Sequence, residues 1–178
     1  MDFDLQTARP VLSRTPEVLN LLLRDLPLAW TSENEGAATW SPYDVVGHLI
    51  HGERTDWMPR VEHILSRGET VPFPSFDRFA QFEQSKGRTL PQLLDTFSDL
   101  RTDSLRRLVA MGLAPADLQR TGRHPEFGQV TLGQHLATWV AHDLDHLIQV
   151  ARCMGRQYTH AVGPWRKYLR IVDEQPGR

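Results

Sequence analysis

Residues 131–155 read TLGQHLATWVAHDLDHLIQVARCMG, and this stretch decides the fold. Thr131 with Gln134 is a capping box: the threonine side chain serves an amide of the first turn while the glutamine reaches back. Leu136, Val140, Leu144, Leu147 and Ile148 then recur at helical spacing, and Gly155 suits a C-terminal stop. A helix this long with one apolar stripe needs neighbours to cover it.

Working outward, three further segments carry the same signature. Thr89 and Gln92 form a second capping box, followed by Leu93, Leu94, Phe97, Leu100, Leu105 and Leu108 up to Gly112. Ser41-Pro42-Tyr43-Asp44 pairs a cap with a proline at the first helical position, ahead of Val45, Val46, Leu49 and Ile50. That helix is expected to run to about Leu65, bent at Pro59. Thr15-Pro16-Glu17 reads as the start of another, with Val18, Leu19, Leu22, Leu23 and Leu26, and the preceding residues as an earlier turn kinked there. With no strand alternation between them, the four predict an all-α four-helix bundle with long connecting loops. In the connection 66–88, punctuated by Gly68, Pro72, Pro74 and Gly87, a short helix is expected over 75–84. Residues 112–130 read as a packed loop, and 165–172 as a short terminal helix.

At 178 residues the chain reads as a single domain, 1–178. Twenty basic against 22 acidic residues leave a net charge of -2, scattered rather than clustered, which gives no footprint for nucleic acid. No apolar run approaches the ~20 residues of a membrane span. A lone Cys153 and an N-terminus, Met1-Asp2-Phe3-Asp4, without basic and apolar signal regions predict a cytoplasmic protein.

His142 and His146 stand four apart, so on a helix they project from one face and can grip a single ion. Neutral imidazole suits zinc, nickel, copper and iron, but two side chains seldom hold such an ion, so a third ligand is needed. His48, early on another helix and beside Gly47, is the best candidate; His51, three residues on, is the alternative. Three imidazoles leave a coordination position open, as catalytic sites require. The plain alternative is a pair of solvated helix histidines.

Further residues are weighed against bland readings. The stripe His135, Trp139, His142, His146 and Gln149 borders the apolar face. Gln149 is placed to hold a ligand histidine or the substrate, and His135 to support the site or simply start the helix. Glu53 falls in line with Val46, Ile50 and Trp57, where a carboxylate needs a partner: a histidine, a water to activate, or an arginine such as Arg54, Arg60 or one on a neighbouring helix. Asp143 and Asp145 read as solvated helix charges, with Asp145 the better candidate to support the site. Cys153 reads as a small buried residue rather than a nucleophile, and His124 as serving its own turn.

Trp40-Ser41-Pro42 leading to His48-Leu49, the loop His124-Pro125-Glu126-Phe127-Gly128, Val130-Thr131-Leu132, His142-x-x-x-His146 with Gln149, and Val162-Gly163-Pro164-Trp165-Arg166 occur in an order that resembles the DinB-like family over nearly the whole chain. The resemblance implies a four-helix bundle with one divalent metal, zinc or nickel, on His48, His142 and His146, and a homodimer. The activities it implies are diverse: transfer to a low-molecular-weight thiol, thiol-dependent isomerisation, and hydrolysis. Fold and metal do not choose among them. An S-transferase acting on a small molecule is favoured on resemblance, with a metal-dependent hydrolase as the alternative. A non-catalytic module, in which the metal staples the bundle or a ligand is merely bound, is the reading from another class. Glu53 and Asp145 are the candidate catalytic carboxylates.

Overall fold

Three capping boxes set the frame of the molecule. In the computed structural model, which describes residues 3–36 and 38–172, Ser41 with Asp44, Thr89 with Gln92, and Thr131 with Gln134 each close the box in both directions. They open α3 (Pro42–Thr55), α6 (Leu90–Ala110) and α7 (Leu132–Arg156). Met1 and Asp2 lie outside the described residues.

The first helix departs from expectation. Thr15 is no cap: α1 runs from Leu5 to Leu23, capped by Asp4, whose carboxylate accepts from the Gln6 amide at 2.8 Å. Pro10 and Pro16 both lie inside it. An internal proline removes an N–H and orphans the carbonyl four residues back, here that of Leu12 for Pro16. Arg101 Nη1 donates to this carbonyl at 2.7 Å, so a side chain of α6 supplies what the backbone cannot.

The second long helix breaks at Asp56 (φ -117°, ψ -67°) rather than bending at Pro59. Pro59 becomes the third residue of a new helix, α4 (Trp57–Arg67). There its missing N–H is one of the donors a helix start leaves without a partner anyway. A short α2 (Leu28–Ser32) precedes α3, and α5 (Ala80–Ser85) is the helix expected in the long connection, shorter than the sequence suggests.

The bundle consists of α1, α3 continued by α4, α6 and α7. Around it α1 touches α6 and α7, and α3 touches the same two, so α1 and α3 stand diagonally although they are consecutive long helices. A diagonal step needs a long connection, which accounts for the 24–41 and 111–131 segments. Two apolar clusters fill the interior: one around Leu12, Met58, Ile64, Leu132 and Trp139, the other around Leu19, Val46, Leu49, Phe97 and Val150. Each such side chain, fully buried, stabilises by roughly 1.5–3 kcal/mol.

Residues 112–130 are not only loop. They contain an antiparallel hairpin, β1 (Thr121–His124) with β2 (Gly128–Thr131), in which Thr121 faces Thr131 and His124 faces Gly128. Four-residue strands are too short to show alternation in sequence. The long connection docks on this hairpin: Phe73 donates its amide to the Arg123 carbonyl at 2.9 Å and buries its ring. A Cβ at Gly122 would meet that ring at 2.6 Å, so only glycine permits the approach. The terminal segment forms two 3-10 turns, Gly163–Tyr168 and Arg170–Val172, instead of an α-helix. Among the described residues no helix is long and apolar enough to cross a membrane.

On α7 the stripe His135, Trp139, His146 is buried, while Leu144 and Ile148, read from sequence as core, are exposed. The buried face of this helix is therefore centred on the histidine stripe rather than on Leu144 and Ile148.

Candidate metal centre

His48 enters from the second turn of α3. Its neighbour Gly47 lets α5 pack close, since a Cβ there would lie 2.5 Å from Ser85 Oγ. His142 and His146 enter from α7. The Nε2 atoms of His48 and His142 are 3.1 Å apart, as are those of His142 and His146, and one ring nitrogen from each residue lies within 4.8 Å of the others. Of the two candidates on α3, the sequence ranks His48 above His51, and His48 is the one that meets His142 and His146. His51 sits outside the cluster, its ring against Gln84 Oε1 at 3.3 Å and the Thr55 hydroxyl at 3.4 Å.

Gln149 Oε1 lies 2.8 Å from His146 Nδ1. An amide oxygen only accepts, so Nδ1 carries the proton and Nε2 offers its lone pair to the cluster. Nδ1 of His48 and of His142 is buried without a protein partner; aromatic packing orients these rings instead. Trp40 lies 4.6 Å from the His48 ring, and Trp57 meets His142 edge-on at 5.0 Å.

All three imidazoles are held neutral, the form that binds metal. Burial, reinforced by His146 and His51, takes His48 down to about 3. Burial with His146 and His48 takes His142 down to about 2. His146 is also lowered by burial, against the pull of its Gln149 bond. The donor set fits a divalent ion: at a metal–nitrogen distance of about 2.05 Å, neighbouring ligands stand about 3.3 Å apart in a tetrahedron and about 2.9 Å apart in an octahedron. The 3.1 Å separations fall between.

The other sequence candidates scatter. Glu53 does not reach the cluster: its carboxylate is fully buried and accepts from Arg101 Nε at 2.8 Å, the arginine-on-a-neighbouring-helix alternative. Asp145 is exposed, and its charge acts on the neighbouring His146. Asp143, read as solvated, is the buried one, and both its oxygens accept from Arg101, at 2.5 and 3.1 Å. His135 is buried two turns before His142, its Nε2 donating to the Trp57 carbonyl at 3.0 Å. Cys153 is buried, donates to the Trp40 carbonyl at 3.3 Å, and has its thiol pushed up to about 11 by burial, which leaves it inert.

Sequence reasoning missed Arg101 and Asp56. Arg101 shares the apolar stripe of Phe97, Ser104 and Leu108 on α6, and a charge in register with core residues is the signal that marks it. Asp56 sits at the break between α3 and α4, lines the cavity in front of the cluster, and pairs with Arg60 at 2.6 Å. Burial raises its carboxyl above the usual range. That cavity, of ≈ 740 Å³, exposes His48, His142 and His146 at one end, with Trp57, Phe73 and Phe127 among its apolar walls.

The model of the DinB superfamily matches residues 12–150. The chain belongs to the DinB superfamily. Among solved structures, this DinB chain resembles YfiT from Bacillus subtilis, described as "a probable metal-dependent hydrolase with an unusual four-helix bundle topology": TM-score 0.74, 21% identity, covering 85% of this chain and 86% of that one. At that identity the likeness speaks for the fold, the diagonal bundle included. No curated protein matches this DinB chain in sequence.

Proposed function

We propose that this protein is a metal-dependent hydrolase of a small organic substrate, its ion held by His48, His142 and His146. The observation that carries the reading is the convergence of the Nε2 atoms of three neutral imidazoles, two buried and one half-buried, on an open cavity. A divalent ion on three imidazoles supplies a Lewis acid with positions left for water and substrate. Zinc and nickel both suit imidazole. The metal-dependent hydrolase description of YfiT points the same way.

What the chain itself contributes follows from its side chains. Gln149 keeps the His146 proton on Nδ1. The aromatic walls exclude bulk water and strengthen every charge interaction inside. Asp56 is a half-buried carboxyl lining the cavity, and burial raises its pKa, which favours it as a group that takes up and returns a proton. This role replaces that expected for Glu53, which Arg101 occupies. Transfer to a low-molecular-weight thiol, favoured on resemblance, is the second reading, and the thiol arm of the screen below tests it.

Protein purified without a histidine tag and loaded with zinc or nickel is to be screened against esters and amides, and against electrophiles with several small thiols. Metal-dependent hydrolysis lost in His142→Ala supports the reading. Turnover only in the presence of a thiol overturns it in favour of the transferase, and failure to bind either ion removes the site itself.

A further inference from the structure

The cavity has a second polar end. Along α7, His135 precedes His142 by seven residues, about 10.5 Å of helix. The Trp57 ring stands between them, 5.5 Å from one imidazole and 5.0 Å from the other. Around His135 the cavity is lined by Arg60 from α4 and His124 from β1, and the charge of Arg60 acts on both rings.

The donors at this end are fixed by their other bonds. His124 Nδ1 accepts two backbone amides, from Glu126 at 3.1 Å and Phe127 at 3.2 Å. Its proton therefore sits on Nε2, which has no partner among the described residues. The His124 ring is clamped by Phe127, stacked at 4.5 Å, and by the edge contact with Phe73. Arg60 forms an ion pair with Asp56, Nε to Oδ1 at 2.6 Å, and lies over the Phe73 ring at 5.2 Å. Its terminal amino groups make no hydrogen bond to the described residues. Two sets of N–H donors, the Arg60 fork and the His124 Nε2, thus line the same cavity as the histidine cluster. Such a fork matches the two oxygens of a carboxylate. The exposed Glu126 carboxylate also lines the cavity; with Asp56 already compensating Arg60, it disfavours a multiply charged group such as a phosphate dianion.

We infer that Arg60 and His124 form a carboxylate-binding subsite, so that the substrate is an elongated small molecule carrying a carboxylate away from its reacting group. The inference rests on the metal site proposed above and names the substrate class for it.

Hydroxamates, which chelate divalent ions, separate the two claims. Zinc-loaded protein is titrated calorimetrically with acetohydroxamate, and with hydroxamates carrying a terminal carboxylate or a terminal methyl ester on alkyl spacers of increasing length. At the spacer length that spans the cavity, the carboxylate should bind roughly tenfold tighter than its ester, as a charge-assisted pair warrants. Arg60→Gln and His124→Asn, the latter keeping an acceptor for the two loop amides, should each erase that advantage while leaving acetohydroxamate affinity unchanged. A carboxylate that gains nothing at any length, or keeps its gain in both variants, overturns the subsite and leaves the metal reading standing. If acetohydroxamate itself does not bind, the metal reading falls and the subsite with it.

Discussion

Arg101 donates to the carbonyl of Leu12, the carbonyl that Pro16 deprives of its helical partner. The same guanidinium holds Asp143 with two bonds and Glu53 with a third, so one side chain from α6 reaches α1, α3 and α7 at once. Buried ion pairs of this kind add little net stability over apolar replacements, but losing one member leaves uncompensated charge.

Arg101→Met should therefore cost about 3–5 kcal/mol, because two carboxylates stay buried without it. In a Pro16→Ala background an amide returns to the Leu12 carbonyl, and the cost of Arg101→Met should fall by about 1 kcal/mol, the net worth of a hydrogen bond. Urea unfolding of the four proteins gives the coupling. Strict additivity would show that the carbonyl and the guanidinium do not depend on each other.

A second prediction separates ligands from bystanders. His48→Ala, His142→Ala and His146→Ala should each reduce zinc affinity severely, while His51→Ala leaves it nearly unchanged, since His51 faces Gln84 and Thr55. Gln149→Leu should cost about 10–100-fold, the usual effect of removing the partner that orients a ligand imidazole. Isothermal titration ranks them, and a His51→Ala loss equal to that of His48→Ala would reverse the assignment on α3.

Much of this was legible in the sequence, for a physical reason: caps are local. Ser41, Thr89 and Thr131 announce their helices within four residues, and the i, i+4 spacing of His142 and His146 is fixed by one helix. What stayed hidden depends on distant residues. Pro16 reads as a helix start until Asp4 is seen to cap an earlier one, and Asp143 reads as solvated until Arg101 arrives from α6. His48 already ranks above His51 in the sequence, and the rotation of α3 against α7 is what brings it to His142 and His146. The hairpin was missed because its pairing, not its composition, makes it a sheet.

The metal-free protein should lose stability in mild acid. His48, His142 and His135 are held down to about 3, about 2 and about 4, each chiefly by burial, whereas in the unfolded chain a histidine titrates near 6.5. Below about pH 6.5 the unfolded state binds protons that the folded state refuses, so stability present above that pH drains away as it falls. Asp56 and Glu53 work in the opposite sense, because burial raises their carboxyls, but the histidines that burial holds down outnumber them. The urea midpoint should drop between pH 7.5 and 5.5 by the equivalent of a few kcal/mol. A midpoint that stays level across that range would mean the rings are solvated and already charged in the folded protein.

The last prediction concerns what the metal does for the fold. The two apolar clusters pack without it, and the three capping boxes, the Arg101 network and the hairpin all lie outside the histidine cluster. The bundle should therefore stand alone, unlike small zinc modules in which the ion supplies the folding energy. Chelation should leave the far-ultraviolet helical signal nearly unchanged. It should lower thermal stability only by what linkage allows, about 2.7 kcal/mol for an ion present at a hundred times its dissociation constant. Hydrolytic activity, by contrast, should vanish on chelation and return with added zinc or nickel. Collapse of the helical signal on chelation, with no turnover in the loaded protein, would make the ion a staple rather than a reagent, because the cores would then have failed to hold α1, α3, α6 and α7 together without it.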